Sequence, residues 1–504
     1  MSYCRTHVVI LLISCFFISS TCSRLEFSQD YWPTENWRRS TPEQQGMDSE
    51  KLALMLEYVE KEKIPIDSIH IIRNGYLILD TYIHPFRSED RHIIHSCTKS
   101  IVSILIGIAI DKDYINDVNQ PVLDFYTYYN FRDLTDDKQN LTLRHLLTMT
   151  TSLDSRDSYL YRWDGLKKMI QTYDWTSYIL NLPMVSAPGD RFEYSNMSSF
   201  LLTSILSRST GQSPLDFAAE NLFVPLGISD IQWPVSPDGI NIGWGEMRIK
   251  PLDMAKIGLL VLNKGKWAEK QIVSSAYLKD STKVQVETNT LQKNYGFQWW
   301  ISDENQFMAV GFSGQYLIIN RKENLIAVIT SSLSEEKIQI PENLFNSFVL
   351  NSLGKETVLP ENGLSFQKLV QLEERLSNPA TTPIGEFPVT AQAISSNKYK
   401  LTINNKSIDK IQFLFGNRTA EVHVYYGENP EIYPIGLNGK FLLNENEDMA
   451  VKGAWMSENR FRFIMMEQGG SLRTKVVAEF FDDRIVLDIK NNTGESSLLK
   501  GRIE

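Results

Sequence analysis

Ser96 and Lys99 are the residues on which chemistry can be built. They stand in Arg91-His92-Ile93-Ile94-His95-Ser96-Cys97-Thr98-Lys99-Ser100, ahead of an uncharged run from Ile101 to Ile110. That run reads as a buried helix, too short for the about 20 apolar residues that cross a bilayer. Residues three apart share a helix face, so Ser96 and Lys99 sit together at its N-terminal end. A serine hydroxyl becomes a nucleophile when a base takes its proton. Lysine is that base when burial favours its neutral form. A helix N-terminus also favours negative charge developing beside it. Ser-x-x-Lys alone is short enough to arise by chance, and a helix start with a solvated lysine is the plain alternative. The apolar helix behind the pair and the partners downstream separate the two.

The proton must later reach a leaving group. Tyr194 and Asn196, in Arg191-Phe192-Glu193-Tyr194-Ser195-Asn196, are the candidates. A tyrosinate is feasible only beside a positive charge such as Lys99; otherwise Tyr194 is a core residue before a helix. A third stretch, Gly311-Phe312-Ser313-Gly314-Gln315, leads into a strand. Its glycines let the backbone approach a ligand. A free N–H of an edge strand there, with the N–H of Ser96, makes an oxyanion hole; otherwise the stretch is a tight turn.

The elements that must position these residues follow from periodicity. Met47 to Lys61 is helical, with Leu52, Leu54, Met55 and Val59 apolar. Ser68–Arg73 and Tyr76–Tyr82 flank Asn74-Gly75, a hairpin signal. Residues 96–300 are mostly helical, with helices expected at Leu141–Met149, Ser199–Ser209 and Pro251–Asn263, the last opened by a proline suited to a first turn. Strands return at Tyr295–Ile301, Phe307–Val310, Gln315–Asn320 and Asn324–Thr330, before a closing helix at Leu344–Leu353. Strands at both ends with helices between imply one antiparallel sheet with an inserted helical lobe, an α/β (α+β) domain over 25–353. Residues 354–390, with four prolines and a short helix at 365–377, read as a linker. From 391 to 504, regular short strands predict an all-β sandwich or barrel.

The chain has 504 residues, more than one core usually serves. Its net charge of −10 and lack of a basic block argue against a nucleic-acid partner. Residues 1–22 read as a secretory signal: Arg5 and His7 precede an apolar run from Val8 to Ser20. Removing it would leave Cys97 as the sole cysteine, with no internal disulfide. Export to the periplasm or medium is expected. Membrane attachment stays open, through lipid on Cys15 or Cys22 or through an uncleaved apolar anchor. Glycosylation-type triplets at Asn140, Asn196, Asn405, Asn417 and Asn491 matter only in a eukaryotic secretory pathway.

Ser96-x-x-Lys99, then Tyr194-x-Asn196, then a glycine-flanked triplet opening a late strand resembles the serine β-lactamase-related hydrolases. That group takes in class C β-lactamases, D-alanyl-D-alanine carboxypeptidases, esterases and 6-aminohexanoate-oligomer hydrolases. Leu143–Thr150, Pro188-Gly189-Asp190 and Pro251–Lys256 support the likeness, which covers about residues 40–350. The resemblance implies a β-lactamase/transpeptidase-like fold and no cofactor or metal. It implies Ser96 as acylated nucleophile, Lys99 as activator and Tyr194 as proton relay. Asn196 would hold the substrate amide or Lys99, Phe312 and Gly314 would contact substrate, and the N–H groups of Ser96 and Gln315 would form the oxyanion hole. The substrate would be a small-molecule or short-peptide ester or amide. Two positions depart from the pattern: Thr151-Ser152 replaces Ser-Gly, and Phe312 stands where Lys or His is frequent. A phenyl ring cannot pair a carboxylate. That favours an esterase-like or amide-oligomer-hydrolase-like activity over a β-lactamase or carboxypeptidase.

Rival readings fare worse. Gly-x-Ser-x-Gly does not occur, and neither does His-Glu-x-x-His or a phosphate loop. His92 and His95 read as structural, and Cys97 as a buried, inert thiol. A non-catalytic binding protein on this fold would have no need of Ser96, Lys99 and Tyr194 together.

Overall fold

The structure, a computed structural model, describes residues 30–129, 131, 133–158, 163–290, 293–416 and 418–504. The expected signal, with its three cysteines, and the triplet at Asn417 lie outside these residues. Among those described, no helix is long and apolar enough to cross a membrane.

Helix α1 (Ser49–Lys61) is capped by the Asp48 side chain and buries Leu52, Met55, Leu56 and Val59 on one stripe. Strands β1 (Ile66–Arg73) and β2 (Tyr76–Tyr82) are joined by Asn74-Gly75, both at positive φ, as a two-residue primed turn requires. Helix α2 (Cys97–Asp111), helix α3 (Asn196–Thr210) and helix α4 (Pro251–Leu262) follow. The remaining strands come last: β3 (Val286–Thr290), β4 (Lys293–Tyr295), β5 (Trp300–Ile301), β6 (Gln306–Gly311), β7 (Gln315–Asn320) and β8 (Leu325–Ser331). The eight form one antiparallel sheet in the order β2-β1-β8-β7-β6-β5-β4-β3.

Successive side chains on a strand point to opposite faces, and both faces here are covered. Leu317, Ile319, Ile326 and Val328 pack with α2, α3 and α4, whereas Ile318, Leu325, Ala327 and Ile329 pack with α1. This explains why β7 and β8 read as continuous apolar runs.

Three expectations need correcting. Tyr295 to Ile301 is not one strand: the chain leaves the sheet after Tyr295 and rejoins at Trp300. Gln298 causes the detour. It sits at φ 62° and its amide donates to the carbonyls of Leu146 and Leu147, each at 3.0 Å. Helix α3 begins at Asn196, three residues earlier than the apolar pattern suggests, because the Ser195 side chain accepts from Ser198 N as its cap. The stretch 354–390 is more than a linker: its expected helix, α5 (Gly363–Ser377), buries Leu369, Leu372 and Leu376 with α1 and the sheet. Glu373 on α5 accepts from Asp80 N of edge strand β2 at 3.0 Å, so α5 covers that edge.

The C-terminal residues form ten strands: β9 (Lys398–Leu401), β10 (Lys410–Phe415), β11 (Ala420–Tyr425), β12 (Pro430–Ile435), β13 (Leu442–Leu443), β14 (Met449–Ser457), β15 (Arg460–Glu467), β16 (Arg473–Phe480), β17 (Arg484–Asn491) and β18 (Ser496–Ile503). They run in the order β12-β11-β10-β9-β18-β17-β16-β15-β14-β13. Gly436 N donates to Val451 O and Gly453 N to Gly436 O, each at 3.0 Å, so the sheet curls until its ends nearly close a barrel. Rings fill its interior: Phe413 has the rings of Phe461, Phe463 and Phe480 within 6.4 Å. Two of these strands carry weak local signals. β12 carries Pro430 and Pro434, which an end strand tolerates. β18 has few inward apolar residues to mark it.

Candidate active site

Ser96 caps helix α2 at φ −66° and ψ −6°. The preceding His95 is held at φ 44°, a left-handed conformation uncommon outside glycine. Cys97 through Ala109 are all buried, which sinks Lys99 to 1% exposure.

The Lys99 ammonium group meets three oxygens: Ser96 Oγ at 3.0 Å, Asn196 Oδ1 at 2.8 Å and the Trp244 carbonyl at 2.8 Å. The last two can only accept, so they claim two N–H bonds. The third position on Nζ faces the serine. Burial pulls the Lys99 pKa down to about 7, against the opposing pull of Asp157. A neutral Lys99 therefore aims its lone pair at the Ser96 hydroxyl.

Asp157 fixes the Asn196 amide. It is 0% exposed, and its Oδ1 accepts from Asn196 Nδ2 at 3.0 Å. Its Oδ2 accepts from Met197 N at 2.8 Å. With Nδ2 committed to a carboxylate, Oδ1 must face Lys99. Burial raises the Asp157 carboxyl above its ordinary range. The Tyr194 ring stacks on Trp300 at 5.7 Å and lies 4.9 Å from Lys99 Nζ. Burial pushes the Tyr194 phenol well up, only partly offset by its hydrogen bond with Ser96, so at rest it is a phenol and not a tyrosinate.

Residues 52–343, more than half of the chain, match the family model described as Beta-lactamase. The chain belongs to the β-lactamase family. Over 317 residues it is 22% identical to a 6-aminohexanoate-dimer hydrolase of Paenarthrobacter ureafaciens, covering 58% of this chain and 80% of that protein. Over 95 residues, 18% of this chain and 21% of the other, it is 30% identical to penicillin-binding protein 4* of Bacillus subtilis. A solved Bacillus anthracis structure, described as a candidate 6-aminohexanoate-dimer hydrolase, shares its fold. The TM-score is 0.51 at 19% identity, over 66% of this chain and 90% of the other. Family and relatives together make this chain a hydrolase.

In this β-lactamase-family hydrolase Ser96 opens into a cavity of about 650 Å³. Ser96, Tyr194, Asn196 and Phe312 all line it. Gly314 and Gln315 are not among the residues that line it. Gly314 is buried behind the wall, where its carbonyl accepts from Ser331 Oγ at 2.7 Å. Gln315 is turned inward, its side chain donating to Ser331 O at 2.6 Å and its carbonyl accepting from Cys97 Sγ at 3.4 Å. Gly311 and Phe312 line the cavity together with Ser96. A Cβ at Gly311 would collide with the Ile94 carbonyl, so glycine is what lets β6 close on the turn before Ser96. The Phe312 ring packs edge-on against His95 at 5.7 Å. Cys97 is buried and its thiol pushed well up, an inert group as expected.

Sequence reasoning missed Asp157, Trp244 and Glu246. They lie in loops, and only the fold brings them to Lys99 or to the cavity; no local pattern marks them.

Proposed function

We propose that the protein is a serine hydrolase that cleaves an ester or amide bond through an acyl-enzyme on Ser96. The observation that carries this reading is the Lys99 geometry: two N–H bonds tied to carbonyl oxygens, and the third position 3.0 Å from Ser96 Oγ. Ser96 Oγ attacks the substrate carbonyl carbon while its proton passes to Lys99 Nζ. The oxyanion sits between the backbone N–H groups of Ser96 and Phe312. Among the described residues the Ser96 N–H has no protein acceptor, which leaves it available. Tyr194, a phenol, gives its proton to the leaving alkoxide or amine and takes back from Lys99 the proton that Ser96 lost. Water then attacks the acyl carbon by the same path reversed and frees Ser96.

No Lys or Arg is among the described residues lining the cavity. That supports an acyl group without a carboxylate, and disfavours penicillins and peptides ending in D-alanine. The test is p-nitrophenyl butyrate hydrolysis by the wild type and Ser96→Ala, with a chromogenic cephalosporin in parallel. Ester turnover that vanishes in the variant, together with a butyryl adduct on Ser96 by intact mass, is the expected result. Turnover that survives in Ser96→Ala would refute the mechanism.

A further inference from the structure

Lys99 and Asn196 come from different helices, and the 2.8 Å bond between them holds only while the first turns of α2 and α3 keep their spacing. Gln298 spans that spacing. Ser100, the residue after Lys99, donates through Oγ to the Gln298 carbonyl at 2.6 Å. Ser199, one turn after Asn196, donates through Oγ to Gln298 Oε1 at 2.7 Å. The two donor groups of Gln298 are anchored on a third element. Its backbone N–H donates to the Leu147 carbonyl, and Nε2 donates to the carbonyls of Leu146 and Leu147, each at 3.0 Å. Both carbonyls lie at the end of the short helix Leu143–Leu147. Gln298 is 2% exposed, and each of its polar groups has a partner.

The backbone of Gln298 sits at φ 62°, a left-handed conformation that glycine adopts freely and that costs energy for a residue with a Cβ. The side-chain bonds offset that cost, and a glycine there would make none of them. Both serine ties end on one residue, so the bridge acts in series: cutting either end frees α2 from α3. Two residues further on, Trp300 carries the stacked ring of Tyr194 at 5.7 Å, so the same anchored turn leads into the wall behind that ring. We propose that Gln298 is a positioning residue for the reaction. It clamps α2 to α3, which keeps Asn196 Oδ1 on Lys99 Nζ and leaves the third Nζ position facing Ser96. Gln298, Ser100 and Ser199 are not among the residues that line the cavity, so the clamp acts through Lys99 and Asn196 alone. The inference rests on acyl transfer at Ser96 as the activity.

Cutting the bridge at each end tests it. Ser100→Ala and Ser199→Ala should each lower kcat for p-nitrophenyl butyrate about tenfold, as a small misplacement of reacting groups does, with KM within about twofold. Independent losses would multiply to about 100-fold in the double variant, whereas a bridge in series leaves the loss near tenfold. Gln298→Gly keeps the turn and removes the side chain; adding Ser199→Ala to it should cost nothing further, because that hydroxyl has already lost its partner. Ser204→Ala is the control. Its hydroxyl, farther along α3, accepts from Tyr126 Oη at 2.9 Å and lies 3.0 Å from Thr176 Oγ1. That variant should lower Tm and leave kcat within about twofold. Multiplied losses in the double variant overturn the proposal, as does an equal loss of kcat in Ser204→Ala. A second arm is independent of turnover: amide hydrogen exchange is followed by mass spectrometry in peptides covering residues 97–103. Ser199→Ala should speed exchange there about tenfold, although the substitution is on the other helix, and Ser204→Ala should not. Exchange unchanged by Ser199→Ala overturns the clamp. Ester turnover absent from the wild type, with this cross-helix exchange present, would refute the Ser96 reading and keep the clamp. Turnover that needs Ser96 and is unaffected by Ser100→Ala and Ser199→Ala would do the reverse.

Discussion

His95 Nε2 lies 2.7 Å from Ser471 Oγ, so the residue before Ser96 is bonded to the C-terminal barrel. The contact belongs to a seam. Ile93 N donates to the Gly469 carbonyl at 2.7 Å, and Asn492 Nδ2 donates to Ser332 O at 3.1 Å. Gly469 sits at φ 68°, and a Cβ there would collide with the Arg91 carbonyl. Burial pulls His95 down to about 3, so it is neutral. The barrel therefore buttresses the turn that carries Ser96.

Ser471→Ala removes that buttress without changing the cavity wall. A neutral buried hydrogen bond contributes about 1 kcal/mol, so kcat/KM for p-nitrophenyl butyrate should fall roughly fivefold. Gly469→Val forces the two domains apart and should cost far more. Ser471→Ala activity equal to wild type, with an unchanged circular dichroism spectrum, would show that the barrel does not steady Ser96.

Asp67 joins the domains at a second point. It is 0% exposed and accepts from Arg473 at 2.6 Å, Ser332 Oγ at 2.8 Å and His92 Nε2 at 3.1 Å. Arg473→Met leaves a buried carboxylate short of its cation, at about 2 kcal/mol for a lost charged hydrogen bond. Calorimetry should show a lower Tm, with the barrel melting apart from the hydrolase domain. An unshifted transition would mean that His92 and Ser332 suffice.

The Lys99 site sets a pH profile. The base must be neutral to accept the Ser96 proton, so kcat/KM should rise with pH along an acid limb near 7, far below an ordinary lysine. The Asp157 charge raises the Lys99 pKa. Asp157→Asn should therefore move the acid limb to lower pH while also lowering kcat, because Asn196 loses its anchor. A limb that stays in place or moves up would refute this arrangement. Lys99→Arg keeps the charge but cannot shed it, and should lose a factor on the order of 10²–10⁴.

Tyr194→Phe keeps the stack on Trp300 and removes only the hydroxyl. The same loss, on the order of 10²–10⁴ in kcat, is expected for a missing proton relay, with KM little changed and the acid limb still present. A purely structural role would instead lower Tm and leave kcat intact.

Much of the site was legible because its pieces are local. Ser96 and Lys99 are one helical turn apart, and the uncharged run behind them had to be buried. Phe312 was legible as a position without a charge. The inward packing of Ser313 to Gln315 against Ser331 was not legible, because the motif alone does not say which side of a tight turn faces the core. Glycines and prolines marked the hairpin and the approximate domain order. They could not show that α5 belongs to the hydrolase core, because an amphipathic helix does not state which neighbour covers it.

The sequence alone determined that Ser96 and Lys99 share one turn of a buried helix, that the antiparallel sheet is split across the chain and that the C-terminal region is β-rich. Those depend on spacing, burial and turn chemistry, which act over a few residues. The tertiary structure alone decided that Asp157 orients Asn196, that Trp244 holds Lys99, that Glu246 lines the cavity, and that the barrel reaches His95. Each joins elements between 39 and 376 residues apart, or depends on which side of a loop faces the site. Such contacts are fixed by how the layers pack, and no local rule encodes them.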